Sequence, residues 1–363
     1  MSKAKVKKLA RLKSRAIRNT TTTRSIQTPE GPTTTPMAVG VIGPGGVADQ
    51  WLAPALARVP GARLWSVLGR DAGRVSAFAE KHKAASSSPV HTDIESFLAD
   101  PALDAVIIAS PDKLHLPHAL ACARAGKHIF LEKPMATSLE DARAIESACR
   151  ENKVMLMMGY HLRFHAGHQK LARLIAEGAI GEPLSVRISW TMQAPPGDWR
   201  AQSFLGRWWS LGALGTHSID LAQYLLGESC GKITSVKGKL VSAQSSNGSV
   251  GHDVTSAVAL RFASGATADI ISSVAFRAPR VVEIIGSKGH VHCLDTLGAR
   301  GAGTITLNGE ALVFEPGCPY TAELTHFVQA LQSAKGKQFI LSSPACDARG
   351  GVKNVGYLER ASR

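Results

Sequence analysis

With 363 residues, 44% of them hydrophobic, the chain can bury cores for two domains, and it has no apolar run of the roughly eighteen residues a membrane-spanning helix needs. Its six cysteines are scattered, with no C-x-x-C pair, which argues against a zinc site or a disulfide framework and for a reducing compartment such as the cytoplasm. The net charge of +14 is uneven: residues 1–36 carry nine Lys/Arg against Glu30 alone, so the remainder is only mildly basic and the charge is no nucleic-acid signal for the whole chain.

Residues 1–36 are basic, then threonine-rich, then broken by Pro29, Pro32 and Pro36. Such a segment cannot bury a core and predicts a disordered tail. It lacks the hydrophobic stretch of a secretory signal. A solvated extension, a basic acid-poor transit peptide directing the chain to mitochondria, and a tether for anionic surfaces or nucleic acid all remain open.

Ala38–Ile42 is a short apolar β-type run. Gly43-Pro44-Gly45-Gly46-Val47-Ala48 follows, then a helical pattern through Arg58. Strand, glycine turn and helix is the order of a dinucleotide site. Gly43 permits the tight turn and Gly45 lets a pyrophosphate approach the backbone. Gly46 and Val47 open the helix whose N-terminus faces the phosphates, and the small Ala48 allows close helix–strand packing. The second strand, Arg63–Leu68, ends in Gly69-Arg70-Asp71, where an NAD-preferring site places an acid. A small residue followed by Arg70 leaves room and charge for a 2′-phosphate, which favours NADP(H) with NAD(H) second. The other reading has Arg70 over the adenine or in solvent and Asp71 capping the next helix.

Helices are predicted over 72–82 and 93–99, a buried strand over 105–109, a helix over 114–125, a strand over 129–131, a helix over 139–152 and a strand over 154–158. This alternation predicts a doubly wound parallel sheet, a dinucleotide-binding domain over 37–158. Two loops follow strand ends, where such sheets bind ligands: Ser110-Pro111-Asp112-Lys113-Leu114-His115 and Glu132-Lys133-Pro134. Pro134 restricts Lys133 to an extended or cis geometry that would aim the lysine into the cleft.

From residue 159 the pattern changes. A helix over 170–177 ends at Gly178, and strand-like runs follow over 184–192, 233–243, 254–262, 267–274, 281–285, 290–294, 304–307 and 312–314. Several alternate polar and apolar residues, as in an antiparallel sheet with one solvated or interface face. The segment 244–251 reads as a loop, and helices over 322–333 and 344–359 close an α+β domain over 159–363. His161, His165 and His168, spaced i, i+4 and i+7, would share one helical face and could hold a metal. No carboxylate or cysteine nearby completes the set, so no metal is expected.

Gly126-Lys127-His128-Ile129-Phe130-Leu131-Glu132-Lys133-Pro134 resembles the A-G-K-H-V-x-x-E-K-P signature of the Gfo/Idh/MocA oxidoreductases. Ser110-Pro111-x-x-x-His115 is similar to the family's T-P-N-x-x-H loop. Gly159-Tyr160-His161-Leu162-Arg163-Phe164 is similar to its G-(F/Y)-N-x-R-F stretch, and Gly215-Thr216-His217-Ser218-Ile219-Asp220 to its G-x-H-x-x-D segment. The resemblance implies a Rossmann domain followed by a mainly antiparallel open sheet flanked by helices. It implies hydride transfer between NAD(P) and a hydroxyl-bearing carbon of a sugar, cyclitol or small polyol. It also implies homo-oligomers, dimers or tetramers, joined through the open sheet face. Carried over by position, Lys133 is the active-site lysine and His217 the acid/base histidine, with Glu132 and Pro134 at the nicotinamide end. Ser110, Pro111 and His115 join the expected cofactor set, and Tyr160, Arg163, Trp199 and Arg200 join His217 as the expected substrate set.

A histidine titrates near neutrality, and a cleft lysine beside a nicotinamide cation has its pKa lowered. His217 is therefore read as the main general acid/base and Lys133 as the group binding the reacting oxygen, with exchanged roles open. Trp190, Trp199, Trp208 and Trp209 could wall a sugar site or pack in a core, and Arg163 and Arg200 could bind substrate or form ion pairs. One departure matters. The family often shows D-x-G-x-H, and the aspartate's position here is Ala213. Either the substrate differs, or the pair works without that carboxylate, or the chain is a non-catalytic dinucleotide-sensing scaffold on the same fold.

Overall fold

A computed structural model describes residues 35–195, 198–201, 206–244, 250–334 and 341–363. Nearly all of the predicted basic tail and most of the predicted loop over 244–251 lie outside the described residues. Six strands form a parallel sheet: β1 (Met37–Ile42), β2 (Ala62–Leu68), β3 (Val90–His91), β4 (Ala105–Ile108), β5 (His128–Glu132) and β6 (Leu156–Gly159), in the order β3-β2-β1-β4-β5-β6. The strand order reverses between β1 and β4, and ligands of such sheets bind outside the carboxyl ends at that point. Alternation explains why β4 is apolar throughout: Val106 and Ile108 enter one core, Ala105 and Ile107 the other, on opposite faces of the sheet.

The connecting helices are α1 (Ala53–Leu56), α2 (Ala72–Lys81), α3 (Ile94–Leu98), α4 (His115–Arg124) and α5 (Leu139–Glu151). Their starts are chemically marked. Asp71, Asp93 and Ser138 each accept a hydrogen bond from the backbone N–H three residues on, at 2.7, 2.8 and 3.0 Å.

The second sheet contains β7 (Pro183–Thr191), β8 (Ile233–Gln244), β9 (Val250–Phe262), β10 (Thr267–Ser273), β11 (Val281–Gly286), β12 (His290–Leu294), β13 (Thr304–Leu307) and β14 (Glu310–Ala311), in the order β14-β13-β12-β11-β7-β10-β9-β8. Every described pairing is antiparallel except β7 with β10. One face packs on α6 (Ala166–Ala176) and α7 (Thr216–Cys230) through residues such as Ile188, Ile270 and Ile284. The other leaves Ile271 and Ile285 40% and 54% exposed. The chain then returns through α8 (Pro319–Ala334) and α9 (Ala348–Ala361), and Cys346 O accepts from Met158 N beside the parallel sheet's edge.

Three expectations shift. The strand expected over 312–314 lies at Glu310–Ala311 instead. Asn308 and Gly309 both have positive φ and close a two-residue hairpin that pulls the pairing forward. The last helix begins after Asp347, which caps it by accepting from Gly350 N at 2.8 Å, and not at Pro344. The three histidines do not share a helix: His161 lies in a 3-10 turn (His161–Phe164), while His165 is the N-cap of α6 and accepts from Gly167 N.

Candidate active site

The nucleotide end is built where β1 and β4 diverge. Gly43 leaves β1 with φ +88°, and a Cβ there would meet Ser110 N and Cα at 2.7 Å, so glycine lets the two strand ends approach. Gly45 N donates to Gly43 O at 2.8 Å, tightening the turn. A Cβ on Gly45 or Gly46 would meet nothing within 4 Å. Behind that open space starts a helix whose π-helical turn, Ala48–Leu52, runs into α1. Its first-turn N–H groups, those of Gly46 and Val47 among them, have no carbonyl within the helix to bond, and together with the open space before them they are the groups that could hold a pyrophosphate. Gly69 packs on the Pro44 ring and Val75, where a Cβ would stand 2.9 Å away from both. Arg70 beside it is exposed, and Asp71 is committed to capping α2.

His115 ties the two loops together. Its Nδ1 lies 2.8 Å from Pro134 O and its Nε2 2.9 Å from Ser110 O, and burial pushes its pKa down. Both ring nitrogens face carbonyl oxygens, and the neutral imidazole, with a single N–H, donates to only one of them at a time; His115 braces the two loops from beneath the cleft. Ser110 Oγ is 2.9 Å from His118 Nδ1.

The Lys133–Pro134 peptide is cis, and the half-buried Lys133 Nζ donates to Ala213 O at 3.2 Å. Burial, then the nearby Arg200 charge, brings its pKa down to about 8, against Glu132, Asp112 and Asp198. Ala213 lies in the π-helical turn Leu211–Gly215 that leads into α7. Asp253 anchors this turn, accepting from Trp209 N, Ser210 Oγ and Leu211 N at 2.8, 2.6 and 2.7 Å. His217 follows as the second residue of α7, 4% exposed, with ring centroids of His161, Trp190 and Tyr160 at 4.7, 5.5 and 5.9 Å. Its Nδ1 is buried with no hydrogen-bond partner among the described residues. Burial, then the Lys133 charge, holds its pKa well below the usual histidine value. His217 is a neutral imidazole near pH 7.

Lys133, His217, Glu132 and Arg200 come together at this point. Arg200 lies over the Trp199 ring at 4.0 Å and donates to buried Asp112 at 3.3 Å. Tyr160 and Arg163 are not brought to the cleft surface. Tyr160 is buried with its hydroxyl 3.3 Å from Thr216 Oγ1, and Arg163 donates to both Asp220 oxygens at 2.7 Å and to the carbonyls of Pro344 and Ala345. Trp208 is buried in the core. His165 lies 3.2 Å from Ala302 O, and His168 contacts Leu162 O and Thr296 Oγ1 at 3.0 Å each. Among the described residues no group of three His, Cys, Asp or Glu is arranged to hold a metal. The sequence reading missed His161 as a neighbour of His217, the Asp112–Arg200 pair, and Tyr320 and Glu323 of α8. No helix among the described residues is long and apolar enough to cross a membrane.

Two family profiles match the chain. One, described as an oxidoreductase family with an NAD-binding Rossmann fold, covers residues 37–160; the other, a GFO/IDH/MocA C-terminal domain, covers 168–292. The chain is 29% identical over 300 residues to 1,5-anhydro-D-fructose reductase of Ensifer adhaerens, covering 81% of this chain and 87% of that protein. It is 30% identical over 261 residues to myo-inositol 2-dehydrogenase of Thermotoga maritima, covering 70% and 74%. The crystal structure of aldose-aldose oxidoreductase from Caulobacter crescentus, complexed with glycerol, superposes with a TM-score of 0.79 at 26% identity, covering 90% of this chain and 98% of that one.

Proposed function

Because the chain belongs to the Gfo/Idh/MocA oxidoreductase family, we propose that it moves a hydride between NADP(H), with NAD(H) second, and a hydroxyl-bearing carbon of a sugar, cyclitol or small polyol. Lys133 and His217 handle the proton. The single observation that carries this reading is that Lys133, at the carboxyl end of β5, reaches the turn leading into His217. The dinucleotide supplies the hydride acceptor or donor. Around it, Gly45, Gly46 and Val47 receive the pyrophosphate, Arg70 the 2′-phosphate, and Ser110, Pro111 and Glu132 flank the cofactor, with His115 bracing their loops. Trp199, Arg200 and Trp190 border the substrate, while Tyr160 and Arg163 hold the wall behind it.

The titration properties favour exchanged roles for the pair. An amine that loses its proton near pH 8 is a competent base for a hydroxyl group, whereas neutral His217 is suited to hydrogen-bond the same oxygen and relay the proton onward. The supporting reading of the molecule is a dinucleotide domain over 37–158 and a substrate domain over 159–363, self-associated through the open sheet face that carries Ile271 and Ile285. Free cysteines at all six positions fit work in the cytoplasm.

The experiment is a nucleotide titration with NADPH and NADH, followed by turnover on a panel of sugars, cyclitols and polyols. Nucleotide-dependent oxidation lost in Lys133→Met supports the reading. Ala213 favours a second one, a dinucleotide-sensing scaffold, because this position offers Lys133 a backbone carbonyl and no side-chain carboxylate. Tight nucleotide binding without turnover on any substrate of the panel would select it.

A further inference from the structure

Behind the cleft, six buried polar atoms of four residues have no hydrogen-bond partner among the described residues: both ring nitrogens of His161, Nδ1 of His217, Oε1 of Glu132 and both carboxyl oxygens of Glu323. They belong to one place. The His161 ring stands edge-on to His217 and is stacked on Tyr320, each at 4.7 Å. Glu323 follows Tyr320 by three residues on α8, and so shares its face. Glu132 Oε1 lies 3.1 Å from where a Cβ of Gly159 would stand, beside the residues that lead into His161. Native interiors leave few polar atoms unpaired, and clustered orphans are met by internal water.

We propose that these residues enclose internal water molecules that connect His217 Nδ1, past His161, to the Glu132 and Glu323 carboxyls, a proton route that stands in for the carboxylate absent at position 213. The proposal rests on the oxidoreductase reading above. The route requires that at rest the carboxyl pair hold one proton, on Glu323; burial raises Glu132 as well, but the Lys133 charge and the Lys133 backbone N–H favour its anion. Burial, then the Glu132 and Asp220 charges, disfavours the Glu323 anion; the Arg163 charge acts in the opposite sense, as does the nearby Tyr160 N–H, which donates to Met158 O and makes no well-formed hydrogen bond to Glu323. Tyr320 on the same helix face stays neutral, raised by burial and by Glu132. When the hydroxyl proton passes from Lys133 to His217 Nε2, the histidine sheds its Nδ1 proton to water. The ionised Glu132 takes it up, and Glu323 fixes the water chain as a positioning residue. Only protons move along this route; the electron pair leaves with the hydride on the nucleotide.

Infrared spectroscopy of the full chain without nucleotide tests the resting state. A protonated-carboxyl stretch at neutral pH, shifted in D₂O, lost in Glu323→Gln and kept in Glu132→Gln, is expected. Its absence from the wild type overturns the proposal. In turnover, Glu323→Gln lowers kcat for oxidation on the order of tenfold, less than the hundredfold or more a direct acid–base group supplies. KM and nucleotide affinity stay unchanged, and Glu323→Asp restores part of the rate. An unchanged kcat, or weakened nucleotide binding in its place, also overturns it, the latter by assigning the orphaned atoms to the cofactor's carboxamide. A wild type that neither binds nucleotide nor turns over defeats the oxidoreductase reading instead, and the infrared band still decides whether Glu323 carries the proton.

Discussion

Lys133 Nζ lies 3.2 Å from the carbonyl oxygen of Ala213, four residues before His217. A carbonyl accepts a hydrogen bond and carries no charge, so neither Lys133 nor His217 gains the stabilisation of its cation that a carboxylate would give. Ala213→Asp restores that charge. It should raise the pKa of both groups and move the rise of oxidation rate to higher pH than in the wild type. A kcat/KM profile against pH measures this, and a shift towards lower pH would contradict the electrostatics of the site.

In the unaltered protein, alcohol oxidation should increase as the Lys133 ammonium loses its proton through about pH 8. Reduction, which needs the protonated form, should decline over the same interval. The sign follows from the neutral amine being the base, and burial and Arg200, which favour that form, bring the change below the ordinary lysine range. Lys133→Met should lower kcat/KM by about 10²–10⁴-fold and leave nucleotide affinity close to wild type. A profile centred below the ordinary histidine pKa would return the role of base to His217.

Gly43 and Gly45 should respond differently to the same substitution. Gly43→Ala puts a Cβ against the Ser110 backbone at a φ that side chains disfavour, so the fold itself should be destabilised. Gly45→Ala meets no atom within 4 Å and should leave the melting temperature unchanged while weakening nucleotide binding. Thermal denaturation together with nucleotide titration separates the two, and undiminished affinity in Gly45→Ala would mean that no phosphate lies there.

Arg70 is exposed and Asp71 is occupied with its helix cap, so the ribose end offers a cation and no free acid. Arg70→Ala should weaken NADPH binding by roughly tenfold, the value of one charge-assisted hydrogen bond, with NADH little affected. Equal losses for both nucleotides would mean that Arg70 contacts something other than the 2′-phosphate.

The parallel sheet was legible because its signals are local: apolar strands, Asp71, Asp93 and Ser138 at helix starts, and glycine at the first turn. Lys133 and its proline were legible for the same reason. The hairpin at Asn308-Gly309 carried an equally local signal that the hydrophobic run over 312–314 obscured. The surroundings of His217 were not legible, because they join distant residues. Asp112 and Arg200 are 88 positions apart. Glu323 reads in sequence as one polar residue of an amphipathic helix, yet it is wholly buried. Arg163 read as a surface or substrate arginine, and its forked pairing with Asp220 was visible only once α7 had folded against the 3-10 turn.

Trp51 lies stacked on Tyr320 at 5.9 Å, Tyr320 on His161, and His161 edge-on to His217. Four flat rings thus form a column from the helix behind the glycine turn to the His217 imidazole. Flat rings have few rotamers, and each is wedged by the next, so His217 has already surrendered its rotational freedom during folding. A ligand that reaches His217 then demands little further ordering of that side chain, and more of its binding energy is left to align its own reacting groups.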